Sequence, residues 1–125
     1  MTASGGAVAL IRLSDHKLMF YANCGQNPHS AEILPDGNIV TAESKSGEIN
    51  TFVVDTVKVL GMKANTIKLG NAHNVVWDRK KECIYATATI QAGVTALFRM
   101  KYNGDRNNPQ LTNQTRIYTC LLYTS

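Results

Sequence analysis

Residues Asn27–Phe52 read NPHSAEILPDGNIVTAESKSGEINTF. The stretch holds a short apolar run ending at Leu34, a turn at Pro35-Asp36-Gly37-Asn38, a second run over Ile39–Ala42, a second turn at Ser44-Lys45-Ser46-Gly47, and the start of a third run that spans Ile49–Val54. Proline presets φ at a turn, and glycine accepts the left-handed conformation a tight hairpin needs. Short apolar runs separated by such turns predict an antiparallel meander rather than helices.

The same order returns one unit later. NAHNVVWDRKKECIYATATIQAGVTALF, from Asn71, predicts strands over Asn74–Trp77, Cys83–Ala88 and Val94–Tyr102. A fourth, outer strand is expected at Ala64–Leu69 in the first unit and at Thr115–Tyr118 in the second, the latter after the turn-rich loop NGDRNNPQ. A half unit, Ala7–Leu13 and Leu18–Ala22 joined by Ser14-Asp15-His16-Lys17, precedes both. Thr-Ala strand ends recur at Thr2, Thr41 and Thr87, spaced 39 and 46 residues. Periods of about 40 to 50 residues filled with short strands are those of four-stranded propeller blades. No sustained helical period is present; Asp55–Met62, rich in Val and Thr, reads as loop and outer-edge strand. The expectation is an all-β, partial β-propeller of about two and a half four-stranded blades: a half blade at 1–26, a blade at 27–70 and a blade at 71–119. Met1 then falls inside a repeat.

Composition narrows function by exclusion. With 44% hydrophobic and 18% charged residues, the 125-residue chain is an ordered domain, not a disordered segment. The net charge of +4 is scattered, and the longest basic run, Arg79-Lys80-Lys81, reads as a solvated turn. No interleaving of aromatic and basic residues points to nucleic acid. No run approaches the roughly 18 apolar residues of a membrane helix. Cys24, Cys83 and Cys120 lack metal-ligand spacing, and no cofactor motif is present. The start of the chain shows no signal peptide, and localisation stays open, with export of a longer parent to the periplasm or exterior in view.

The phrases His29-Ser30-Ala31-Glu32-Ile33-Leu34-Pro35-Asp36-Gly37 and Ala72-His73-Asn74-Val75-Val76-Trp77-Asp78 resemble a bacterial β-propeller family of unknown function. Asn74 departs from that pattern, where glycine is usual. The resemblance implies a fold and no chemistry. Trp77-Asp78 does not make a WD repeat, because that dipeptide closes a third strand there and the first strand here. The terminal Cys120-Leu-Leu-Tyr-Thr-Ser125 resembles read-through translation of a transposase sequencing adapter, so residues 120–125 are expected to be a non-native tail of a metagenomic fragment.

Aligning the units pairs Asn27 with Asn71, His29 with His73, Ser30 with Asn74 and Glu32 with Val76. Asn27, His29, Glu32, Asn71 and His73 are therefore the candidate ligand-binding residues, at the mouth of the central channel. Recurrence of the histidines at equivalent joints favours a structural role, each ring nitrogen tying loop to blade. The functional reading is proton transfer or a divalent metal held by His29 and His73, although no metal or cofactor is called for. Glu32, a carboxylate on an apolar inner strand, is the candidate catalytic residue; its bland reading is a carboxylate accepting backbone N–H bonds between blades. Two functions stay open. One is a binding scaffold for a small molecule, saccharide or protein; the other is part of a carbohydrate lyase or hydrolase.

Overall fold

The computed structural model describes residues 1–121, with side chains through Cys120. All its regular elements are strands. The first sheet holds β1 (Thr2–Ala3), β2 (Ala7–Arg12) and β3 (Lys17–Asn23), in that order. The second holds β4 (Pro28–Ile33), β5 (Ile39–Glu43), β6 (Glu48–Val53) and β7 (Met62–Lys68), also in chain order. The third holds β8 (Ala72–Asp78), β9 (Cys83–Gln91), β10 (Val94–Tyr102) and β11 (Leu111–Leu121), again as a meander. Every pairing within a sheet is antiparallel. Among the described residues no helix is long and apolar enough to cross a membrane.

The sheets stack face to face in chain order through two cores. Val8, Phe20 and Ala22 of the first sheet meet Ile39, Phe52 and Val54 on one side of the second. Val40, Ala42 and Ile49 on its other side meet Ala72, Val75, Ile84, Ala86 and Phe98 of the third. The middle sheet is covered twice, and all five residues of β5 are buried. Each fully buried Phe, Ile or Leu contributes about 1.5–3 kcal/mol of transfer free energy. The outer sheets alternate instead, as β9 and β10 do, because only one face has a neighbour. This is a partial β-propeller of about two and a half blades. The Thr-Ala repeat is offset in the pairings: Thr41 opposes Ala31 and Asn50, whereas Thr87 opposes Asn74 and Leu97, and Ala86, opposite Val75, stands at the position of Thr41.

The strands differ from expectation chiefly at their ends. β7 begins at Met62, two residues before the expected Ala64, and β11 runs from Leu111 instead of Thr115. Outer strands bury little, so their extent is set by backbone pairing that leaves no apolar pattern; past Leu111 the described side chains of β11 are exposed. Cys120 and Leu121 of the adapter-like tail pair with Thr95 and Val94, and residues 122–125 lie outside the described residues.

Between β6 and β7 the chain turns through Asp55, whose carboxylate accepts from the N–H groups of Val57 and Lys58. It then lays Leu60 beside Tyr21 of the first sheet. Gly61 makes that approach possible, since a Cβ there would lie 1.7 Å from the Phe20 ring. Gly61→Ala is expected to lower unfolding free energy by about 1–3 kcal/mol, because the packed Phe20 ring must move. Gly70→Ala, with open space around the added carbon, is expected to stay within about 0.5 kcal/mol. Urea unfolding of both variants checks this.

Candidate functional site

The two histidines meet. Their rings stack with centroids 4.7 Å apart and planes inclined by 27°. The sequence places them at joints entering the first strand of each unit; in the structure they lie inside β4 and β8. The register shifts between Pro28 and Ser30 against β5, and between Ala72 and Asn74 against β9. His29 and His73 are thus the extra residues of two equivalent β-bulges, a device that re-aims a side chain. The asparagines set up the bulges: Asn27 and Asn71 adopt φ of 57° and 53°, a left-handed conformation that asparagine tolerates better than most residues.

Each imidazole is held by its own joint. His73 Nδ1–H donates to the Asn71 carbonyl at 2.8 Å. The Asn27 amide donates to His29 Nε2 at 3.1 Å and to Ser44 Oγ at 2.9 Å. Among the described residues no group of three or more His, Cys, Asp and Glu side chains is arranged to hold a metal ion.

Glu32 reaches across to the third sheet. One carboxylate oxygen accepts from the Ile33 N–H at 3.0 Å and the other from the Trp77 N–H at 3.2 Å. Two residues earlier, Ser30 Oγ accepts from the Val75 N–H at 3.3 Å. The edge of β8 is therefore capped by side chains of β4, at the two-residue spacing a strand dictates. Val76, the counterpart of Glu32, has no such bond to offer and is half exposed.

A second carboxylate, absent from the sequence-based candidates, is more deeply placed. Glu43 ends β5 fully buried. It accepts from Gly25 N–H (2.8 Å), Thr41 Oγ1 (2.6 Å), Ser46 Oγ (3.2 Å) and Asn50 Nδ2 (2.7 Å). Multiple donors of this kind are what a buried carboxylate requires. A Cβ at Gly25 would sit 2.1 Å from Glu43 Oε2, so only glycine can bring its N–H that close. Burial, then the Glu43 charge, push the neighbouring Cys24 thiol up to about 11, which makes it a poor nucleophile near neutrality. The available signal was the pair Thr41 and Glu43, two polar residues on one face of a buried strand.

The opposite end of the sheets from the histidines carries an open cleft of about 410 Å³, lined by Asp36, Trp77, Glu82 and Tyr102 among others. The 103–110 loop closes one side and is clamped to the second sheet. Buried Asn38 donates to Tyr102 Oη at 3.2 Å and to the Arg106 carbonyl at 3.0 Å, and accepts from the Val54 N–H. Arg106 donates to the Val54 carbonyl at 2.8 Å. The Tyr102 hydroxyl donates to Asp36, and its ring meets Trp77 edge to face at 6.2 Å. Burial, then the bond to Asp36, push the Tyr102 phenol up to about 12.

The sequence signature of a family of unknown function, DUF6528, matches residues 1–122. The chain belongs to DUF6528. No curated protein matches it significantly. Among solved structures it is similar to hydrazine synthase of Kuenenia stuttgartiensis, with a TM-score of 0.63 and 14% identity. That match covers 90% of this chain and 32% of the other, and it carries the fold alone. The DUF6528 chain thus spans about a third of the structure it resembles.

Two outcomes follow for this DUF6528 chain. Tyr102 is held neutral by the fold, so its contribution is complete below the ordinary phenol pKa and is lost as pH rises through the folded value. Stability to urea should fall between about pH 10 and about pH 12, and Tyr102→Phe should flatten that decline. Glu43→Gln places an amide N–H2 among donors that need an acceptor, and is expected to cost about 2–4 kcal/mol in the same assay.

Proposed function

We propose that this DUF6528 chain is part of a noncatalytic propeller, a binding scaffold that offers loops and clefts to a ligand or protein. The observation that carries this reading is the bonding of Glu32. Both of its oxygens already accept backbone N–H groups, one of them from the neighbouring sheet. These bonds aim the carboxylate at the chain's own backbone, whereas a general base is aimed at substrate. The joint residues support the same reading. Asn27, Asn71, His29 and His73 occupy matching positions in two blades, where matching architecture is needed and matching chemistry is not. On this reading residues 1–26, 27–70 and 71–119 are successive units of a longer ring, residues 120–125 are a non-native tail, and the five candidate residues shape the channel mouth on which a ligand would rest.

The test is a comparison of Glu32→Gln, His29→Ala and His73→Ala with the unmodified chain. Each variant should melt a few degrees lower, since each loses a bond or stack that joins the second and third sheets. None should gain or lose hydrolase or lyase activity on a glycan panel. Cleavage of a glycan by the unmodified chain, abolished in Glu32→Gln without loss of folding, would establish the enzyme reading instead.

A further inference from the structure

We propose that the cleft between Asp36, Trp77, Glu82 and Tyr102 binds an uncharged saccharide. The proposal rests on the binding-scaffold reading and goes beyond it, adding a second site, with a ligand class, at the end of the sheets away from the histidines. Trp77 and Tyr102 pack against the core and also line the cleft. Aromatic side chains are common linings of small-molecule sites, and a ring that borders a cleft offers a surface for the C–H groups of a sugar.

The polar groups complete the complement. Glu82 lines the cleft and makes no side-chain hydrogen bond or ion pair to another described residue, so its oxygens are acceptors for sugar hydroxyls. The Trp77 indole N–H likewise donates to no group among the described residues and is not a buried unsatisfied donor. A free donor, free acceptors and aromatic walls suit a ligand that both donates and accepts. No lysine or arginine lines the cleft beside its two carboxylates, although the chain as a whole carries +4. The two lining carboxylates would stand directly against those of an acidic sugar, although Arg79, Lys80 and Lys81 share the turn with Glu82.

Glu82 holds φ of 52° at the end of the β8–β9 turn, as His16 holds 59° at the end of the β2–β3 turn, while the β4–β5, β5–β6 and β9–β10 turns use Gly37, Gly47 and Gly93 for their left-handed residues. Glycine would relieve that conformation at Glu82.

Trp77 is the only tryptophan of the chain, so its emission reports the cleft directly. The 125-residue chain is titrated with cellotetraose, maltotetraose and N-acetylchitotetraose, and with tetragalacturonate as the acidic counterpart. At least one neutral sugar should shift Trp77 emission saturably, with tetragalacturonate weaker by about tenfold or more. Glu82→Gly should weaken that neutral sugar by a similar factor, followed by calorimetry, while raising the melting temperature. A purely structural residue would not give opposite signs in the two measurements. The proposal is overturned if no neutral sugar shifts the emission, if tetragalacturonate binds equally well, or if Glu82→Gly leaves affinity unchanged. Calorimetric binding of a neutral sugar without any change at Trp77 removes the cleft assignment and leaves the scaffold reading standing. Cleavage of a sugar that is lost in Glu32→Gln, with the Trp77 titration intact, removes the noncatalytic reading and supports the cleft.

Discussion

A carboxylate enclosed in protein, with no ion pair among the described residues, is the constraint around which the first two sheets are arranged. Glu43 cannot be buried unless donors surround it, and those donors come from the linker before β4, from β5 itself, from the β5–β6 turn and from β6. Satisfying one side chain therefore fixes the path of four segments. It also fixes composition at Gly25, where a single added carbon would occupy the place of the acceptor oxygen. The apolar contact of Phe20 with Phe52 supplies area, and the carboxylate supplies the register at which that area is buried.

The joint between the second and third sheets is built differently. There the backbone edge of one strand is completed by Ser30 and Glu32 from another, and two bulged histidines close the top by stacking. Below them, Asn38 bonds both Tyr102 and the Arg106 carbonyl of the 103–110 loop. Polar side chains in this joint spend their bonding capacity on the chain's own backbone. The cleft beyond Tyr102 has the opposite character, since its free groups have no internal partner. That contrast separates residues that hold the propeller together from those left over for contact with something else.

Much of the fold was legible from turn chemistry and period. Pro35–Asn38 and Ser44–Gly47 mark hairpins by local backbone preference, and the Thr-Ala phrases fall on strands of all three sheets, although Thr87 sits one place past the equivalent of Thr41. The limits of β7 and β11 were not, because an outer strand with little buried area leaves no alternation to read. The histidine pair was legible as an equivalence, while its bulges were not, since a register shift depends on the partner strand. Glu43 escaped notice because a carboxylate after Thr41-Ala42 resembles the start of a polar turn. The cleft escaped for another reason: Asp36, Trp77 and Tyr102 are brought together by sheet stacking, and no short stretch contains them.

The two joints also bear on the modular origin of such chains. In repeat proteins each unit touches only its neighbours, so duplicated units begin as interchangeable parts. Here the places that lock one joint are blank in the next: Val76 stands at the position of Glu32, and Ala88 at that of Glu43, two residues beyond Ala86 at the position of Thr41. A blade moved one place along would bring an apolar side chain to an edge that needs an acceptor, and an unsatisfied set of donors to a wall of methyl groups. The units keep a common outline but have lost their exchangeability. Blade order in this chain is an address written into side chains, and shuffling or inserting a blade would break it even where the backbone geometry matched.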